Sequence, residues 1–377
     1  MQKHRVILLV LLILALGITL SGIYLLYRWN KPLGPSLDLP TYTPGNVSVT
    51  SISTLAPTPI NELSDSNPLI TSTLAANTAQ LATHMPTPAP TRQPLCGGPT
   101  TMTILAIGSD ERSTGYLYGL ADSIHIVRID FTVPNMMVID FPRDLWVEIP
   151  GISDHYGITH GKLNQAYLYG NPGMGYYAGP GEGPGLLART LDLNFGLRVD
   201  HYLAIDTQTF VRFIDAVGGV DVDVESSIDL TGGTPTPDPK YYLSVGRHHL
   251  DGQLALVLAT NRIPSTFQRM KYEKIILTAL REKLLSPATL PKIPGLVTKF
   301  ITSVQTDLSP KEINSLICIG QAVPKGNIQA DSFPQDMFKA DVTYDEYRNV
   351  TTFVYDVDFA KLRAMIADFM QGVWPMP

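Results

Sequence analysis

The sequence predicts an α/β protein: a single domain with a mixed central sheet, preceded by one N-terminal transmembrane helix. Three observations carry this. Strand-like and helix-like patterns interleave from about residue 100 to the C-terminus, as layered α/β packing requires. An uncharged apolar run extends from Val6 to Tyr27. Between the two, residues 32–95 are rich in Pro, Thr, Ser and Asn and lack a periodic apolar pattern.

The apolar run is long enough to cross a ~30 Å hydrocarbon layer as a helix. It exceeds the ~7–15 residues of a signal-peptide core and lacks a small-x-small cleavage pattern. Basic residues flank both ends, Lys3 and Arg5 before it and Arg28 and Lys31 after it, so charge alone does not orient it. The stretch that follows cannot bury enough surface to offset ordering entropy, and reads as a solvated tether. The expected layout is a short tail and anchor over 1–31, a linker over 32–95 and a domain over 96–377, held on the extracellular side. Cys96 and Cys318 lack a diagnostic spacing, and pairing between them stays open at this level.

Within the domain, strands are expected over 102–108, 123–130, 136–140 and 199–206, bounded by Gly, Pro and Asn. Helices are expected over 161–170, 184–193 and 207–217, the last stopped by Gly218-Gly219. A short strand, VDVDV, follows, and then helices over 250–262 and 267–285 separated by Pro264. Ser265, with Gln268 three residues on, forms a capping-box pattern for the second. A helix near 309–322, strands near 327–331 and 350–356, and a final helix near 358–371 complete the order.

Composition narrows the function. The 377 residues carry a formal net charge of -6, which argues against a nucleic-acid binder and its usual basic face. Charged residues are 16% of the chain and hydrophobic ones 44%, so a large core is possible and an anion site must be a local cluster. There is no Gly-rich phosphate loop ending in Lys-Ser/Thr, no HExxH, no Cys-pair metal spacing and no Gly-x-Ser-x-Gly. His248-His249 lies just before an expected helix and shows no nearby ligand partner.

Charged residues at strand ends are more informative. Asp110 follows the first strand in GSDER, Asp122 precedes the second in GLADSIHIV, and Arg143 follows the third in FPRD. Such ends line the ligand crevice of α/β sheets. Two carboxylates facing arginines would suit a divalent cation bridging to a phosphorylated ligand. The competing reading is that each acid caps a turn and Arg143 pairs with Asp144 or another surface acid.

The segments ILAIGSDER, ADSIHIVRID, FPRDLWVEIPG, KLNQAY, FIDAVGGVDVDV, GRHHLDGQLAL and NR…FQRMKYEKIILTAL, in this order, resemble the LytR-CpsA-Psr family of cell-envelope proteins. The resemblance implies an α/β/α domain outside the membrane. It implies a phosphotransferase that moves a glycopolymer from a polyprenyl diphosphate onto peptidoglycan or another wall acceptor, with Mg²⁺ assisting. Asp110 and Asp122 match the metal-linked acids, and Arg143, Arg262 and Arg269 match the diphosphate-binding arginines. Guanidinium suits the task because its planar fork fits phosphate oxygens and stays charged when desolvated.

The chain departs from that pattern at Leu120 and Thr260, where the family carries arginine, and at Thr266, Tyr272 and Glu273. Each lost charged hydrogen bond is worth ~1.5–3 kcal/mol. Two lost arginines would then weaken binding by roughly two to four decades. Lys271, Lys274, Arg112 and Arg128 are candidate substitutes, and Glu273 is placed to neutralise Arg269 as an i, i+4 pair. Two alternatives to transfer therefore stand beside it: a non-catalytic protein binding lipid diphosphate or wall polymer, and a polyprenyl-diphosphate hydrolase. The helices around 254–258 and 275–284 are the candidate lining of a lipid pocket.

Overall fold

The computed structural model describes residues 24, 26–39, 92–111, 115–231, 238–263 and 265–373. The expected transmembrane helix and most of the tether lie outside these residues. Among the described residues, no helix is long and apolar enough to cross a membrane.

Six strands form the central sheet: β1 (Thr101–Ser109), β2 (Ala121–Asp130), β3 (Asn135–Asp140), β4 (His201–Asp206), β5 (Gln305–Thr306) and β6 (Ile328–Ser332). Their spatial order is β5-β4-β1-β2-β3-β6. β1, β2 and β3 form an antiparallel meander, whereas β4 runs parallel to β1 and β6 parallel to β3. The sheet is therefore mixed, as expected. The helices that accompany it are, in order, α1 (Leu163–Gly170), α2 (Glu182–Phe195), α3 (Thr207–Ala216), α4 (Gly252–Thr260), α5 (Thr266–Leu284), α6 (Ile293–Phe300), α7 (Pro310–Ala322) and α8 (Phe359–Gln371).

Strand alternation sorts the core into layers. Leu105 and Ile107 of β1, with Ile124 and Ile126 of β2, face α1, α2 and α8 through Tyr167, Leu186, Leu191, Leu362 and Phe369. The opposite face divides in two. Met102, Ile104 and Ile129 pack on Ile319 of α7, beside a disulfide joining Cys96 to Cys318. Further along, α3, α4 and α5 share their own cluster, including Ile214, Ala255, Leu258 and Ile276. Sheet residues there are small (Ala106, Gly108 and Ser123), and a cavity separates them from the helices.

Three features differ from the expectations. Residues 33–39, expected as the start of the tether, are docked on the domain: Leu37 is buried, and Tyr202 donates its hydroxyl proton to Pro35 O at 3.0 Å. The strand at Val350–Val357 has an unanticipated antiparallel partner, Phe338–Asp345, whose FKADVTYD alternation is mostly solvent-facing. His248 and His249 lie just before α4, as expected, but within a strand, Gly246–Leu250, and His249 has a partner, its Nδ1 lying 2.8 Å from Asp221 Oδ1. That strand pairs with Val220–Val224 after Gly218 and Gly219, both at positive φ; a side chain on Gly219 would meet the His249 ring.

Candidate functional site

The antiparallel meander explains how residues far apart in sequence converge. β1 ends where β2 begins, with Ser109 opposite Ala121, and β3 ends beside the same edge, with Asp140 opposite His125. Asp110, Asp122 and Arg143 therefore emerge at one end of the sheet. Helix α5 crosses that end. Ser265 caps it, accepting from Gln268 N at 3.2 Å, which is the serine half of the expected capping box.

Asp122 is the hub. Its Oδ1 takes a short hydrogen bond from Arg143 Nη1. Its Oδ2 lies 3.2 Å from Arg262 Nη2 and 3.5 Å from Arg269 Nη1. Three guanidinium groups thus converge on one carboxylate. Arg143 Nε and Arg269 Nε are both buried with no acceptor in hydrogen-bond geometry, although each lies near a carboxylate. Buried unsatisfied donors are costly, and a bound anion is a natural means of satisfying them.

Asp144 and Glu273 add negative charge beside the arginines. Asp144 lies 3.4 Å from Arg143 Nε, accepts from Lys162 Nζ at 3.0 Å and from the Thr266 hydroxyl at 3.3 Å. Glu273 Oε1 is 2.9 Å from Arg269 Nε, so the expected i, i+4 pair is formed. Burial pushes the Glu273 carboxyl above its ordinary value, against the pull of Arg269 and His125. Burial alone would lower His125, but Asp140, 2.6 Å from its Nδ1, and Glu273 outweigh it and raise the imidazole.

The other substituted positions part company. Thr260 lines the cavity, Leu120 donates its backbone N–H to Asp110 Oδ1 at 2.6 Å, and Tyr272 is buried in the apolar cluster of α3–α5. The candidate substitute cations face elsewhere. Lys271 pairs with Glu225, Lys274 with Asp331, and Arg128 Nε donates to Met370 O on the terminal helix. Arg112 lies outside the described residues. The cation that sequence reading missed is Lys162, brought beside Arg143 by pairing of His160–Lys162 with Trp146–Glu148. No local pattern marks it.

The arginine hub opens into the cavity under α3–α5, about 230 Å³, lined at one end by Asp110, Asp122 and Arg269. Its remaining wall is largely apolar, with Leu203, Ile205, Phe210, Leu256, Ile276 and Leu277 among its residues. Both helices expected to line a lipid pocket contribute. Asp110 and Asp122 thus share one cavity. Among the described residues there is no group of three or more His, Cys, Asp or Glu able to hold a metal ion. Two carboxylates beside an anion site still fit Mg²⁺, which commonly takes one or two protein carboxylates and completes its shell with phosphate oxygens and water.

The family model for the LytR_cpsA_psr family matches residues 70–367. The chain belongs to the LytR-CpsA-Psr family. It is 28% identical over 209 residues to the regulatory protein MsrR of Staphylococcus aureus, covering 54% of this chain and 56% of MsrR. It is also 28% identical over 208 residues to the polyisoprenyl-teichoic acid–peptidoglycan teichoic acid transferase TagV of Bacillus subtilis, covering 54% and 49%. The chain thus spans about half the length of the curated relatives it matches. Among solved structures, B. subtilis TagV superposes with a TM-score of 0.56 at 25% identity, over 74% of this chain and 99% of that one. A structure of TagT bound to LIIa-WTA shares the fold, with a TM-score of 0.54 at 18% identity over 75% and 96%.

Proposed function

We propose that this protein is a membrane-anchored phosphotransferase that attaches a polyprenyl-diphosphate-linked glycopolymer to peptidoglycan or an equivalent wall acceptor, with its domain on the extracellular side. The observation that carries the reading is the convergence of Arg143, Arg262 and Arg269 on Asp122 at the mouth of an apolar cavity. Polar head and greasy tail of one carrier need that adjacency. The relatives named as teichoic acid transferases support the reaction class, and a disulfide between distant cysteines accords with an oxidising compartment.

In this reading the arginines grip the diphosphate, displacing Asp122 from its guanidinium partners and freeing its oxygens. The acceptor hydroxyl attacks the phosphorus that bears the glycan. The bond from that phosphorus to the bridging oxygen breaks, and lipid monophosphate leaves. The proton of the hydroxyl passes to a carboxylate, Asp122 or Asp110. Arg143 and Arg269 oppose the negative charge that accumulates on the leaving phosphate. A Mg²⁺ ion held by Asp110 and Asp122 would supply further charge neutralisation at the phosphate oxygens.

One feature favours the binding-only alternative: Glu273 already neutralises part of Arg269. The test is to give the full chain, in detergent micelles with Mg²⁺, a short polyprenyl diphosphate carrying a disaccharide, with and without peptidoglycan fragments. A glycan product that requires the acceptor is expected. Phosphate release without acceptor would assign hydrolysis instead, and saturable binding without turnover would leave a binding protein.

A further inference from the structure

The wall of the apolar cavity carries a buried group of charges that the reaction scheme leaves unused. Glu273 and Arg269 of α5 face His125 of β2, and His125 faces Asp140 at the end of β3. All four are between 2% and 9% exposed. His125, Arg269 and Glu273 line the cavity, and Asp140 holds the imidazole. Ser123 of β2 adds a hydroxyl beside Glu273, and Ser332 of β6 donates to Asp140 Oδ2 at 3.2 Å. Asp110 and Asp122 line the same cavity from the end of β1 and the start of β2.

Two distances set this group apart from a rigid structural network. Arg269 Nε lies 2.9 Å from Glu273 Oε1, yet no acceptor meets that N–H in hydrogen-bond geometry. His125 Nε2 lies 3.8 Å from Glu273 Oε2, beyond hydrogen-bond reach. Charge, more than fitted hydrogen bonds, therefore holds Glu273 to both cations. His125, by contrast, is tied to Asp140 Oδ1 at 2.6 Å. With all four ionised, the group holds two cations and two anions. A proton on Glu273 leaves one more cation than anions, beside the end of the cavity where the arginines gather. Burial already favours that proton, because desolvation penalises a carboxylate set in an apolar wall.

We propose that Glu273 gates the diphosphate site through its own protonation. Ionised, it draws Arg269 to itself and opposes an incoming anion. Neutral, it releases the guanidinium, and its O–H becomes a donor for a phosphate oxygen. The proton comes from solvent as the carrier binds and returns to solvent as the lipid phosphate leaves. His125 and Asp140 set where this happens: the imidazolium favours the ionised carboxylate, and Asp140 opposes it. Glu273 is thus a positioning residue, acting on the diphosphate largely through Arg269. The inference rests on the proposed transfer reading for its ligand.

The test reads binding by the full chain in detergent micelles across about pH 5–7. In that window a raised carboxyl titrates, while the His125 imidazole, raised above its ordinary value, keeps its proton. The probe is a short polyprenyl diphosphate carrying a disaccharide, because each of its phosphorus atoms bears one strongly acidic oxygen that stays ionised throughout. The parent chain is expected to lose about tenfold or more in affinity from the acid to the neutral end. Glu273→Gln keeps the neutral shape and is expected to bind tightly, with less than about twofold change. His125→Gln removes the cation that favours the carboxylate, so its decline is expected at higher pH. A decline that persists unchanged in Glu273→Gln, or a parent affinity level with pH, overturns the gate. So does a His125→Gln decline that vanishes, stays in place or moves down, and this outcome decides alone if Glu273→Gln fails to fold. Binding by neither the parent nor Glu273→Gln at any pH overturns the transfer reading, and the gate with it.

Discussion

At Asp122 one carboxylate serves three guanidinium groups, so removing any one arginine leaves the others paired. Arg143 is the exception in consequence, because it alone bonds Asp122 Oδ1, whereas Arg262 and Arg269 share Oδ2. Arg143→Lys keeps the charge and loses the fork. The expected result is a loss of about 10–100-fold in affinity for a polyprenyl diphosphate, equivalent to ~1.5–3 kcal/mol, with little change in melting temperature. Calorimetric titration checks it, and unchanged affinity would remove Arg143 from the diphosphate site. Glu273 predicts the opposite sign. Glu273→Gln removes the anion facing Arg269 while keeping its shape, so diphosphate binding is expected to tighten several-fold. The same change leaves a buried cation with less compensation, and a fall in stability of ~1–3 kcal/mol should accompany it in a denaturant titration. How far these residues could be read beforehand follows from their setting. Asp110, Asp122 and Arg143 sit at strand ends, where alternation breaks and a charge stands out. Arg262 and Arg269 carry no such signal and emerged only through resemblance to a family. Lys162 depends on a contact between distant segments, which no local pattern records.

Among elements, long helices and core strands follow the sequence because their periodicity is set by burial. The ribbon Phe338–Asp345 escaped notice because its side chains are mostly exposed, leaving turn chemistry and pairing to define it. Helix α7 shows how an element is held by more than its apolar face. A capping box at Ser309 and Glu312 starts it, and the Cys96–Cys318 bond ties it to the domain entrance. His201, at the start of β4, lies 3.4 Å from Asp307 Oδ1 and 3.4 Å from Glu312 Oε1. Burial opposes protonation of His201, but the nearby Asp307 carboxylate, with Glu312 and Asp200, prevails and raises it above its ordinary 6.5. A raised folded value means the folded state binds the proton more tightly. Its contribution is therefore complete below about pH 6.5 and is lost as pH rises through the folded value. Thermal melts across that window should show declining stability, and His201→Gln should flatten the decline. An unaltered profile would assign the effect to other groups. Reducing the disulfide, which closes a chain separation of 222 residues, should cost about 3–5 kcal/mol in the same assay.

For the whole molecule, the decisive matter is where the proposed anchor would meet the domain. The composition of 32–95 suggests a spacer that would let the domain range away from the membrane. Its first residues do otherwise. Leu33 N donates to Leu308 O at 3.3 Å, Gly34 lies so near Thr306 O that a side chain there would clash, and Arg189 Nη2 donates to Asp38 O. Leu37 inserts beside Gly181 at the start of α2, within the main core cluster. Under the proposed topology, five residues separate Tyr27, the end of the expected membrane span, from Leu33. The six steps from one to the other reach at most about 20 Å. Under that topology the docked strap would hold the domain close to the bilayer and shorten the path of a polyprenyl tail from membrane to apolar cavity. Leu37→Asp places an unpaired charge in that core position. It is expected to release the strap, lower stability by ~2–4 kcal/mol and open the segment around 33–39 to protease. Activity on carrier lipid embedded in vesicles should fall, while activity on a short, soluble polyprenyl diphosphate should persist. Equal loss on both substrates would show that the strap supports the site itself, and retained protease resistance would show that Leu37 does not hold it.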